Sequence, residues 1–106
     1  MTDNLLLIGD MKRARDLLVQ RGRCVGVPED ADGRLCIMGA INLAVSFVAN
    51  PEKDMWQRRN EVAIALRVHL DHPIEQLSVY NDDRATTDQD VLNLFDKTLA
   101  DLGGLG

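Results

Sequence analysis

The side chains best suited to covalent chemistry are two cysteines, Cys24 and Cys36, and two histidines, His69 and His72. Cys36 is the more interesting thiol, because it falls in the first turn of an apolar helix predicted over Leu35 to Val48. Backbone N–H groups and the helix dipole favour a thiolate there. A nucleophilic cysteine also needs a base, which His69 or His72 would supply, with Asn81 or Asp82 orienting the imidazole. That constellation describes a thiol-dependent hydrolase or transferase. The competing reading is packing: free cysteine behaves as a small core residue, and Cys36 opens a very apolar segment. Nothing in the spacing brings the four groups together, and packing is preferred.

The same residues make a poor metal site. Eleven residues separate the cysteines, outside the short knuckle spacing that makes zinc motifs specific, and His69 and His72 sit three apart at a helix end. Asp30-Ala31-Asp32-Gly33 resembles the middle of a calcium loop. In that register Pro28 takes position one and Gly39 position twelve, so the first ligand and the bidentate glutamate are missing. An Asx-type turn explains the segment better. Neither the Walker spacing nor G-x-G-x-x-G occurs, which disfavours ATP and dinucleotide chemistry. No metal or cofactor is expected.

Binding rather than catalysis is the stronger theme. Tyr80, Asn81 and Asp82 form either a turn before the last helix or a polar recognition patch beside the Arg21 to Gly26 loop, with Arg23 contributing. Trp56, the only tryptophan, lies off the apolar stripe of its helix, so it either anchors an interface or covers the core from one side. Arg58, Arg59 and Arg67 on that helix have Glu52, Asp54, Glu61 and Asp71 as neighbours, and pairing at i, i+3 and i, i+4 is the expected role.

The elements that must position these residues are helical. Leu7, Met11, Ala14 and Leu18 fall at i, i+4, i+7 and i+11 and mark an amphipathic helix ending at Gly22. Gly9-Asp10 leaves a short strand over Leu5 to Ile8 as the lesser alternative. Arg23 to Arg34 collects Gly26, Pro28, Asp30, Asp32 and Gly33 and reads as a loop with at most a minimal hairpin. In the second helix Asn42 and Ser46 share a polar face, and Gly39 is expected to let another backbone approach closely. Asn50-Pro51-Glu52 signals the start of a third helix, with Met55, Val62, Leu66 and Leu70 on its buried face and Pro73 at its end. Ile74 to Val79 reads as a turn or helical stub and Tyr80 to Asp83 as a polar connection. Thr86 and Gln89 fit a capping box opening the last helix, which runs to Gly103-Gly104. The fold class is therefore mainly α: a compact four-helix single domain over residues 1–106, with a loop or minimal hairpin between helices 1 and 2.

Composition narrows the setting. At 106 residues and 45% hydrophobic content one core without staples is expected. The net charge of −5 lies wholly in the second half, where eleven acidic residues face six basic ones. This disfavours a nucleic-acid partner, whose phosphates require Lys and Arg, and suits a basic partner surface. The acids from Asp82 to Asp101 would permit nucleic-acid mimicry as a variant of that reading. Met1 to Ile8 lacks a basic n-region and no apolar run reaches the ~20 residues of a membrane helix. A cytoplasmic location with free thiols is expected.

Three segments, Arg21-Gly22-Arg23-Cys24-Val25-Gly26, Asp32-Gly33-Arg34-Leu35-Cys36-Ile37-Met38-Gly39-Ala40, and Tyr80-Asn81-Asp82 through Thr86 to Asp90-Val91-Leu92, carry a resemblance. Their motifs, RGxCxG, DGxxCxxGA and YND, resemble those of a small uncharacterised domain family of actinobacteria and their phages, over roughly residues 10–102. In that family an aromatic residue usually precedes the first cysteine, where Arg23 stands here. The resemblance implies a compact domain in a bacterial or phage setting and no activity. The expected function is a non-enzymatic binding or regulatory module acting on a protein, with Trp56, Tyr80, Asn81, Asp82 and Arg23 as contact residues and homodimerisation through Trp56 as a further use of the same surface.

Overall fold

The computed structural model describes residues 3–70 and 77–103. His72, Pro73 and the start of the expected stub at Ile74 lie outside the described residues. Helix α1 spans Asp3–Arg21, so Leu5 to Ile8 are helical, not a strand. Met11, Ala14 and Leu18 are buried along it. It stops where Gly22 turns to φ +86, a left-handed geometry that glycine adopts without steric cost.

Residues 22–36 cross from α1 to α2 (Ile37–Ser46). Among the described residues no strand forms. The minimal hairpin reduces to isolated bridges of Leu35 with Arg23 and with Glu29. The expected Asx turn is present: Asp30 Oδ1 accepts from the N–H groups of Asp32 and Arg34 at 3.0 and 2.9 Å. α2 begins two residues later than its apolar run. Leu35 is extended and bonded to Gly22 through its N–H, and Cys36 is the N-cap rather than a first-turn residue, its sulfur accepting from Gly39 N at 3.3 Å. The Pro28 carbonyl accepts from Cys36 N, and a Cβ on Gly39 would lie 2.1 Å from that oxygen. Gly39 thus admits the loop backbone against the helix. Ile37, Ala40, Ile41, Ala44 and Val45 enter the core, while Asn42 and Ser46 face outward. Phe47 and Val48, expected within the buried helix, are exposed beyond its end.

Helix α3 (Met55–Val68) starts later than Asn50-Pro51 signals. Asn50 Oδ1 instead accepts from the N–H groups of Glu52 and Lys53 in a turn. Asp54 is the cap, accepting from Gln57 N at 2.8 Å. Val62 and Leu66 are buried as expected, but Met55 is exposed and the third member of the stripe is Arg58. Arg58 is the largest fully buried side chain. It donates to both carboxylate oxygens of buried Asp10, Nε at 3.0 Å and Nη2 at 2.7 Å, and to Val48 O. Arg13 also donates to Asp10 at 3.2 Å. Pairing of Arg58 within its own helix is therefore replaced by an ion pair across the core, since a buried charge persists only with a partner.

The four long helices are completed by α5 (Asp88–Asp101), and the short α4 (Leu77–Asp82) is a fifth. α5 opens on a capping box of Thr87 and Asp90, one residue past Thr86 and Gln89. Val91, Leu94, Phe95 and Leu99 face the core, and Thr98 donates to Leu94 O at 2.8 Å. The Cα radius of gyration is 12.9 Å, as expected for a compact chain of this length. Among the described residues no helix is long and apolar enough to cross a membrane.

Candidate functional site

The structure brings two of the three motif segments against the third, as a lock. Asn81, on α4, is fully buried. Its Oδ1 accepts from Ile37 N at 3.2 Å, at the start of α2, and its Nδ2 donates to Cys24 O at 2.9 Å and to Asp82 Oδ1 at 3.0 Å. Asp82 Oδ1 also accepts from Gly26 N at 3.0 Å. The Asn81 amide, and then the Gly26 N–H, hold the Asp82 carboxyl below its ordinary pKa. Arg23 completes the clip from the loop side. Its Nε donates to Asp88 at 2.8 Å, its Nη2 to Thr86 O at 2.7 Å, and its Nη1 to Asn81 O. The loop and the Tyr80-Asn81-Asp82 segment therefore adjoin, but with these polar groups turned toward each other.

Both cysteines are buried and free. Cys24 Sγ lies 3.3 Å from Val27 O and 3.2 Å from Arg34 O, and burial, reinforced by the nearby Asp30 carboxylate, raises the pKa of its thiol. Cys36 sulfur is occupied as a helix cap. His69, the C-cap of α3, has Nδ1 3.2 Å from Ala65 O and Nε2 3.4 Å from Asp101. It lines a cleft of about 330 Å³ with Tyr80, Asp83, Thr86, Asp90 and Lys97, and Cys36 is not among the lining residues. Among the described residues no cluster of three or more His, Cys, Asp or Glu side chains is arranged to hold a metal ion.

The outer face of α3 is built differently. Trp56 is 64% exposed, and the guanidinium of Arg59 lies over its ring, 4.3 Å from the centroid. Such a cation–π contact contributes about 0.5–1 kcal/mol at an exposed site and favours the stacked arrangement. Arg59 Nε is buried and is the one buried side-chain nitrogen or oxygen among the described residues without a hydrogen-bond partner. A groove of about 410 Å³ continues from Arg59 along Asn60, Ala63, Ile64 and Arg67, and is closed by Met38 of α2 and by Leu77 and Ser78 of α4. Ile64, Val68 and Met55 are exposed apolar side chains on the same helix.

Residues 6–101 match the model of a Family of unknown function (DUF6197). The chain belongs to that family. The DUF6197 match runs from the first turns of α1 to the last residue of α5, slightly longer at its start than the motif resemblance, and takes in both the lock and the α3 groove. Comparison with curated proteins and with solved structures finds no match. Arg59 and the groove of this DUF6197 protein escaped sequence reasoning, because neighbouring acids made helix-surface pairing the expected role for its arginines. The available signal was the stripe Trp56, Asn60, Ala63, Arg67 at i, i+4, i+7 and i+11, opposite Arg58, Val62 and Leu66.

Proposed function

We propose that this DUF6197 protein is a small non-enzymatic binding or regulatory module that acts through a protein partner docked on the outer face of α3. The observation that carries the reading is Trp56, an aromatic side chain left largely in solvent with the Arg59 guanidinium stacked on its ring. Tryptophan and arginine dominate the energetics of protein interfaces, and an exposed tryptophan with an arginine stacked on it supplies such an anchor. Ile64 is a further exposed apolar side chain on that helix and lines the groove that runs from Arg59. The motif resemblance suggests an actinobacterial or phage setting and a cytoplasmic host protein as partner; a second copy of the chain using Trp56 is the homodimeric form of the same idea.

The test is capture of a partner from lysate of the source cells by the tagged chain, quantified by mass spectrometry against Trp56→Ala. A stoichiometric partner whose recovery falls tenfold or more in the variant supports the reading. Equal recovery by both proteins would place the contact elsewhere.

A further inference from the structure

We infer that Cys24 and Cys36 form a reversible thiol-modification site: the fold holds them as partners for one intramolecular disulfide, made by exchange with a low-molecular-weight disulfide. The α3 docking face plays no part in it. What carries it is the way the two segments bearing the thiols run beside each other.

Residues 22–24 and 34–36 are aligned in parallel by two backbone hydrogen bonds, Leu35 N to Gly22 O and Cys24 N to Leu35 O, each 3.0 Å. Arg23 and Leu35 are the bridged pair, so Cys24 and Cys36 are the next pair in that register. Cys36 keeps the extended backbone of the segment, at φ −83 and ψ 174. Side chains alternate along extended chain, which puts both thiols on one face, opposite Arg23 and Leu35. The next rung of a parallel ladder would join Ile37 N to Cys24 O. The Asn81 amide stands in that place, accepting from Ile37 N at 3.2 Å and donating to Cys24 O at 2.9 Å. The segments are thus directly bonded just before Cys36 and one amide apart just after it.

Directly paired extended chains lie about 4.7–4.9 Å apart. A disulfide spans Cα atoms about 4.4–6.8 Å apart, most often about 5.5–6 Å. A ladder that begins to open at the cysteines falls inside that window. Burial, the Asp30 carboxylate and then the neighbouring Cys36 sulfur raise the Cys24 pKa, in keeping with two thiols that feel each other. Both are free and buried, so each has the other, not a second molecule, as its partner. The contacts given up are weak sulfur ones, Cys36 with Gly39 N and Cys24 with the Val27 and Arg34 carbonyls.

In the exchange, one cysteine thiolate attacks a sulfur of the small disulfide, whose S–S bond breaks and releases one thiolate. The second cysteine, deprotonated, attacks the protein sulfur of that mixed disulfide and expels the other thiolate. Two protein thiols are oxidised to one disulfide, and the reagent is reduced to two thiols that take up the two protons.

The test is equilibration of the full chain in buffers of graded ratio of glutathione to its disulfide, approached from both sides, with acid quenching, intact mass and tryptic mapping. Trypsin cuts after Arg23 and Arg34 and leaves the two cysteines on different peptides. The ratio at half-oxidation gives the effective concentration of one thiol at the other, for the native chain and for the chain in guanidinium chloride. The expected result is a monomer with the two peptides joined through Cys24 and Cys36, and an effective concentration tenfold or more higher in the native chain. An equal or lower native value overturns the inference, because the fold would then hold the thiols apart. A glutathione adduct or a disulfide-linked dimer as the main native product also overturns it.

Discussion

Arg23 and Arg59 put the same side chain to opposite use, and the regions around them differ in the same way. In the clip between residues 22–36 and α4, Arg23 spends its donors on Asn81, Thr86 and Asp88, and Asn81 satisfies both a helix N–H and a loop carbonyl. On α3, Arg59 keeps a buried Nε–H without an acceptor beside an exposed tryptophan. A ligand at the clip would have to displace internal hydrogen bonds, and leaving a buried partner such as Ile37 N or Cys24 O unsatisfied costs about 1–3 kcal/mol. A ligand on the outer face of α3 would meet an exposed indole without first breaking such a network. The most conspicuous motifs of the chain therefore hold the fold, and the surface proposed for docking lies on a helix without a motif.

The sharpest way to break the comparison uses neighbouring arginines. Asp10→Ala strands the buried Arg58 charge and should cost about 3–5 kcal/mol in chemical denaturation, as removal of one partner of a buried ion pair does. Arg59→Ala should cost about 1 kcal/mol or less, since it removes a cation–π contact with Trp56 and no paired hydrogen bond. If Arg59→Ala destabilised as much as Asp10→Ala, the α3 face would belong to the core architecture. Asn81→Ala should cost about 2–4 kcal/mol, because Ile37 N and Cys24 O lose their partner together. It should also speed alkylation of Cys24 by iodoacetamide.

Gly39→Ala should destabilise by about 1–3 kcal/mol or more, through the clash with Pro28 O. Its unfolding midpoint against wild type checks this. The smallest effect is pH dependence, and it should be confined to the clip. The folded pKa of Asp82 is depressed, so its contribution is present above the ordinary carboxylate pKa and lost as pH falls through the folded value. The Cys24 thiol is raised, so its contribution is present below the ordinary thiol pKa and lost as pH rises through the folded value. Comparing the acid and alkaline unfolding limbs of Asp82→Asn and Cys24→Ala with wild type should show each limb altered separately.

The helices that pack with regular periodicity were legible in the sequence. Met11, Ala14 and Leu18, the apolar run of α2, and Val91, Phe95 and Leu99 all face the core, because burial of one stripe is what a helical period encodes. Starts were less legible. Asn50-Pro51 and Thr86 carry valid capping chemistry, but Asn50 closes a turn and Thr86 is held through its carbonyl by Arg23, leaving Asp54 and Thr87 to cap. Six-residue α4 is too short to show a period. Arg58 completes the buried stripe with Val62 and Leu66 at fourfold spacing, yet its partner Asp10 is 48 residues away, and no local pattern reports such a pair. At the site, the adjacency of the loop to Tyr80-Asn81-Asp82 was visible as three motifs. The inward direction of Asn81 and Arg23 was not, since donor direction is set by tertiary packing.

The most direct test of the account is site-specific photo-crosslinking in the source cells, with p-benzoylphenylalanine placed at Trp56, Ile64, Val25 or Asp82. Crosslinking to one protein from positions 56 and 64, with none from 25 and 82, is the predicted result. Crosslinking from 25 and 82 with silence at 56 and 64 would contradict it and make the motif-bearing clip the recognition surface.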